Sequence, residues 1–286
     1  MTTDRAALCA RNNALWCDAV CRAHGVPGEF VGGLWLNRQP VPRFYSNVVT
    51  LSPKDPAGQR AWVEHLMTRR ASFSVKDSFV ALDLSRLGFD VLFEATWLWR
   101  EPTVVHPTFG SGLHLLDDDA DQVRRTQESA SHQAGLHLLD GDADQVRPTQ
   151  ESASHQELAW SVVTDDAGLA LWEAAWAGLH AGQVVPGSER IFRRGLLREP
   201  GVALLAGVRD GQVVAVAAAN QTGEVVGLSN VFAPAAEAAA CWAGAVAFAA
   251  ALFPGRPLVG YERGDDLARA QAVGFVPVGP LQVWAR

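Results

Sequence analysis

Cys17, Cys21 and His24 fall at i, i+4 and i+7, which on a helix puts them on one face. Two thiolates and an imidazole so placed, with Cys9 as a fourth ligand, could hold zinc. The competing reading makes each cysteine a small core hydrophobe and His24, beside Gly25, a cation at a helix C-terminus. No paired Cys-x-x-Cys is present, so packing is the expected role and no metal is expected. A second set lies mid-chain. Asp117, Asp119, Asp121 and Glu128 have the spacing of a calcium loop, and Asp140, Asp142, Asp144 and Glu151 repeat it. Gln122 and Gln145 stand where the turn glycine is needed and no flanking helices are evident, so a solvated acidic segment is expected. No Ser-His-Asp, metal-hydrolase or Walker pattern occurs. Phenolic general acids reduce to two tyrosines, Tyr45 and Tyr261.

The 286 residues allow one or two domains, and 48% hydrophobic with 19% charged residues marks a globular chain. The net charge is −7, and the stretch from Ser111 to Gln156, with nine acids against three bases, supplies six of those charges. The remainder is nearly neutral and offers no basic face to nucleic acid. No apolar run approaches a membrane span, and MTTDRAALCARNN lacks the apolar stretch of a signal peptide, so a cytoplasmic location and no membrane partner are expected. The oligomeric state is left open.

The elements that must position any chemistry come next. In the N-terminal region the pattern predicts a helix over 12–24, an irregular loop over 25–43, and a strand over 47–51. A helix within 53–70 carries Trp62 and Leu66, and a short strand spans 72–75. A short helix near 80–87 ends at Gly88, and a strand spans 90–99. From 106 to 157 the chain is an acidic linker in which GLHLLDDDADQVRRTQESASHQ recurs 23 residues later with two changes, a tandem duplication. Beyond it come a strand over 158–163, a helix capped by Asp165 or Asp166, and a helix from Ser188. A hairpin turns at Asp210-Gly211, and a strand spans 225–232. An Ala-rich helix then runs from Pro234 and Glu237 to about Phe253. A strand over 257–261, a short helix capped by Asp265, Gly274-Phe275 and a closing strand follow.

The two regions echo each other. Gly88-Phe89 answers Gly274-Phe275, each before a Trp-bearing strand, and Trp62 answers Trp242. A weak internal repeat and chance similarity of two β-α-β units both account for this.

The order β-α-α-β-β-β-α-β-α-β over residues 158–286 resembles the GNAT superfamily of acyl-CoA-dependent N-acyltransferases. On that resemblance the chain is α/β, with a GNAT-like mixed sheet flanked by helices. Residues 1–105 form a smaller half-GNAT-like β-α-β-α-β domain, 106–157 a linker and 158–286 the acetyltransferase-like domain. The resemblance implies acetyl-CoA as cofactor, contacted by Val231, Ala233, Ala238, Ala239 and Ala240 at the strand-to-helix loop. It implies a small-molecule or peptide amine as substrate. Glu262 would deprotonate the amine and Tyr261 would serve as acid. The bland alternative has Tyr261 packing and Glu262 exposed at a strand end. Glu237 falls where the family's loop carries Arg or Gln and would repel phosphate. Trp242 falls at a small-residue position and would crowd the loop, and Ala270 replaces the family's usual tyrosine. Two functions therefore compete: an N-acetyltransferase, and a catalytically silent GNAT-like protein that binds a ligand or partner.

Overall fold

The structure, a computed structural model, describes residues 4–68, 72–102, 158–179 and 183–286. The duplicated acidic segment and both calcium-like spacings lie outside them.

Helix α1, Arg5–Ala23, opens on Asp4, whose carboxylate accepts from Ala7 N, so the helix starts about two turns earlier than its first asparagines suggest. Strands β1 (Glu29–Val31) and β2 (Leu34–Leu36) form a hairpin inside the stretch expected to be irregular. They are short and Gly-flanked, which hides their period, yet Leu34, Trp35 and Leu36 are fully buried. Then come β3 (Val48–Thr50), α2 (Pro56–Met67), β4 (Ser74–Asp77), a 3₁₀ turn at Ser85–Leu87 and β5 (Asp90–Arg100). After the undescribed segment follow β6 (Ala159–Val162), α3 (Asp166–Trp176), β7 (Val202–Arg209), β8 (Gln212–Thr222) and β9 (Val225–Phe232). The chain closes with α4 (Ala238–Leu252), β10 (Leu258–Glu262), α5 (Gly264–Ala272) and β11 (Val276–Ala285).

The helix expected from Ser188 is instead a turn and a 3₁₀ segment, Arg194–Arg198. The buried Glu173 carboxylate accepts from Ile191 N and Phe192 N at 2.6 and 3.3 Å, so those donors are not left for a helix. The Asp210-Gly211 hairpin forms as expected, with φ of 51° and 73°.

The eleven strands of the described residues make one mixed sheet, in the order β1-β2-β3-β4-β11-β5-β10-β9-β8-β7-β6. Its C-terminal strands are covered on both faces. Leu205, Ala217 and Ala219 pack under Trp242, Ala245 and Val246 of α4, while Leu204, Val216 and Ala218 meet Trp16 of α1 and Trp172 of α3. This two-sided burial explains the near-continuous apolar runs of β7 and β8. The segment Ala235–Leu252 is long and apolar enough by composition to cross a membrane; here Trp242, Ala245 and Ala249 on one side of α4 face the core.

The centre of the sheet is an exchange. The strand after Gly88 pairs antiparallel with β10 of the C-terminal region, and the strand after Gly274 pairs antiparallel with β4 of the N-terminal region. Those two strands, β5 and β11, also pair with each other, Leu281 opposite Ala95. The interval from Gly88 to Gly274, 186 residues, is also the interval from Ala95 to Leu281, so equivalent positions face one another across a pseudo-twofold axis. Each strand carries one unpaired residue, Leu92 and Val278, again 186 apart.

Candidate functional site

β9 and β10 run parallel and pair only at Val226/Leu258 and Gly227/Val259, then part. At the parting Gly260 comes so close to Leu228 O that a Cβ would lie 2.6 Å from it, which only glycine permits. On the other side of β9, the ladder to β8 breaks between Val216 and Ala218, and Asn230 takes a left-handed φ of 54°. This bulge turns β9 away from β10.

Ser229, Asn230 and Val231 on one strand and Tyr261 and Glu262 on the other line a cavity of ≈ 220 Å³. Asn13, Trp16 and Cys17 of α1 and Lys76 of β4 line it too. A larger cleft of ≈ 910 Å³ shares Phe44, Tyr45, Lys76, Trp176 and Tyr261 with it. Helix α1 is pinned above the sheet by Asn12, whose amide donates to Asn220 O and Thr222 Oγ1 at 2.9 and 2.8 Å. One residue on, Asn13 Oδ1 accepts from Lys76 Nζ at 2.7 Å.

Burial, with some help from Asp266, pushes the Glu262 carboxyl up to about 8. No hydrogen-bond partner meets Glu262 among the described residues. Tyr261 stands edge-on to Trp97, ring centroids 5.4 Å apart, and its hydroxyl accepts from Lys76 Nζ at 3.2 Å. Lys76 also lies over the Tyr261 ring, 4.3 Å from the centroid. Desolvation raises the Tyr45 phenol well above its ordinary value, which disfavours ionisation of that second tyrosine.

Among the residues expected at the cofactor loop, Val231 lines the small cavity and Ala233 is half-buried just beyond it. Ala239 and Ala240 are exposed on the first turn of α4, whereas Ala238 is in the core at 6% exposure. Two expectations change. Trp242 does not crowd the loop; it is 3% exposed and edge-packed on Phe275, because a large ring on the sheet side of α4 is better buried. Glu237 does not face the helix start as a bare charge either. Arg209 grips it with two hydrogen bonds, of 2.7 and 2.5 Å, so a guanidinium stands at this end of α4 after all. Ala270 is fully buried and carries no acid.

Cys17 and Cys21 are buried with Ala14, Trp35 and Val49, and the His24 ring meets Ile191 O at 2.7 Å. Lys76, Asn13 and Asn230 were missed in the sequence. The only signal was positional: Lys76-Asp77 ends β4 as Tyr261-Glu262 ends β10, Lys76 facing Val283 as Tyr261 faces Trp97.

No family model and no curated protein matches the chain. Among solved structures, a GCN5-related N-acetyltransferase from Kribbella flavida is similar over 97% of this chain and 95% of its own, at 16% identity and a TM-score of 0.53. A tandem GNAT protein from the clavulanic acid biosynthesis pathway is similar over 88% of this chain and 78% of its own, at 14% identity and a TM-score of 0.49. A GCN5-related N-acetyltransferase from Sphaerobacter thermophilus covers 97% and is 91% covered, at 11% identity and a TM-score of 0.41. The chain has the GNAT superfamily fold, a mixed sheet flanked by helices.

Proposed function

We propose that this chain is an acyl-CoA-dependent N-acetyltransferase acting on a small amine or peptide. The observation that carries the reading is the open parting of β9 and β10, with a desolvated acid and a tyrosine on one lip and the start of α4 following the other. The residues there suit acetyl-CoA. The start of α4, entered through a 3₁₀ turn at Ala235–Glu237, has no side-chain cap to compete with an anion, and Ala239 and Ala240 leave it uncrowded. Val231 and Ala233 would flank the cofactor, and the backbone of Ala238, Ala239 and Ala240 would hold its pyrophosphate. When bound, acetyl-CoA supplies the thioester whose acyl carbon the amine attacks.

Glu262 takes the proton from the amine. A carboxylate whose protonated form persists to about 8 is a stronger base than an ordinary one and accepts that proton readily. Tyr261 supplies a proton from its hydroxyl as the thiol departs. Because the base must be ionised, the rate rises as pH climbs through about 8.

Calorimetry with acetyl-CoA, followed by thiol release over a panel of amines, tests the reading. Binding with amine-dependent thiol release supports it. No heat at millimolar acetyl-CoA overturns it and leaves the silent binding protein.

A further inference from the structure

The acceptor site itself carries a chemical signature. Lys76 is 5% exposed yet lines both the small cavity and the larger cleft. An ammonium has three donors; Asn13 Oδ1 and the Tyr261 hydroxyl take two. Among the described residues no carboxylate lies within ion-pair distance of it. A cation held this deep without a counter-charge is costly, and an arriving anion would offset that cost. Among the described residues the only other charged side chain lining the larger cleft is Arg43, so there the cleft presents two cations and no acid. The small cavity has the reverse bias at its reacting end, where Glu262 is its one carboxylate among the described residues.

The mouth is aromatic. Phe44 is 68% exposed and holds a φ of 71°, a left-handed conformation that a bulky residue adopts only under constraint. That backbone sets its ring edge-on to Trp176, centroids 5.8 Å apart, with the Arg43 guanidinium 4.5 Å above it. An apolar ring held out at a cleft mouth at the expense of backbone strain is suited to gripping an apolar body.

We propose that the acceptor is an amino acid with an apolar or aromatic side chain. Its amine points to Glu262, its carboxylate is held by Lys76 with Arg43 at the mouth, and its side chain seats on Phe44 and Trp176. The amine end rests on the acyltransferase reading; the carboxylate and side-chain ends rest on the cleft alone.

The test uses the full chain and two matched pairs, phenylalanine against 2-phenylethylamine and leucine against isopentylamine. Thiol release from acetyl-CoA gives kcat/KM, and tryptophan fluorescence without cofactor gives binding. The amino acid of each pair is expected to be favoured about tenfold or more by both readouts. Lys76→Met should reduce that preference below about twofold. Because Lys76 is buried, the exposed Arg43→Ala and Phe44→Ala are run beside it. The first should cut the preference about threefold, and the second should weaken both members of a pair alike. Equal use of acid and amine, a preference untouched by both Lys76→Met and Arg43→Ala, or no binding of either amino acid by about 10 mM overturns the proposal. The two readings fail separately. If acetyl-CoA does not bind but phenylalanine binds in a Lys76-dependent way, the acyltransferase reading falls and the cleft assignment stands. If thiol is released equally well with amines lacking a carboxylate, the cleft assignment falls alone.

Discussion

Where β3 parts from β4, Asp77 accepts from Leu82 N at 2.7 Å, Phe79 N at 3.2 Å and Thr50 Oγ1 at 3.4 Å; where β10 parts from β9, Glu262 at the matching position has no such partner. The helix starts differ in the same way. Asp55 caps α2 by accepting from Gly58 N, and Gln59 donates to Ser52 O and Lys54 O, whereas α4 has no side-chain cap. Both partings follow a two-pair parallel ladder, Val48/Val75 with Val49/Lys76 and Val226/Leu258 with Gly227/Val259. The topology alone therefore makes a gap between strands. Spent hydrogen bonds make one gap scaffold, and an uncapped helix start with a desolvated acid makes the other the candidate site.

The largest effect tests whether either region is complete alone. Fragment 1–105 carries β4 and β5 without β10 and β11, so it should show no cooperative melt; a two-state transition would mean that the exchange is dispensable. Next, Asp77→Ala should cost about 3 kcal/mol, because it orphans buried donors at Phe79 and Leu82. A loss below about 1 kcal/mol by denaturant titration would show that the N-terminal gap is not held by this carboxylate. The matching change, Glu262→Gln, should instead slow turnover about a hundredfold with little loss of stability at pH 5. Its stability should diverge from wild type at higher pH. Burial raises the Glu262 pKa from 4.5 to about 8, so the wild type loses stability as pH rises through that window. At pH 9 the variant should be more stable by about 1–2 kcal/mol, allowing for partial exposure. A variant less stable at pH 9 would reveal a hidden partner for the carboxylate and erase the contrast. The smallest effect is Glu237→Gln, which loosens the grip on Arg209 and should tighten acetyl-CoA binding about threefold at low salt. Trp242→Gly would not open the loop, since Trp242 is core.

Much of this was legible locally. The Asp210-Gly211 turn, the apolar run of β9 and the recurrence of Gly-Phe before a Trp-bearing strand are short-range signals, and beyond residue 158 they led to the right order of strands and helices except for the helix expected from Ser188. Val231, Tyr261 and Glu262 were placed through family order and do line one cavity. What could not be read was long-range or competitive. Lys76 meets Tyr261 through pairing across the sheet, which no spacing rule reaches. Arg209 finds Glu237 because the start of β9's following helix returns beside the end of β7. The segment after Ser188 has a helical apolar period, but a carboxylate from α3 claimed its donors. The strand exchange leaves no mark in either region's own pattern, because a strand reads alike whichever neighbour it joins.

That exchange has a consequence for synthesis. On the ribosome, β4 emerges 207 residues before Val283, the neighbour that pairs with Lys76. Until then β4 and β5 present unsatisfied edges, and the pairings that close them are of the long sequence separation that slows folding and invites association with other nascent chains. A chaperone that shields residues 74–100 until the chain is released would have more to protect here than in an uninterrupted repeat. A premature stop before Val276 would remove the neighbour of β4 as well as one neighbour of β5, so a lesion in β11 disables the region translated well before it.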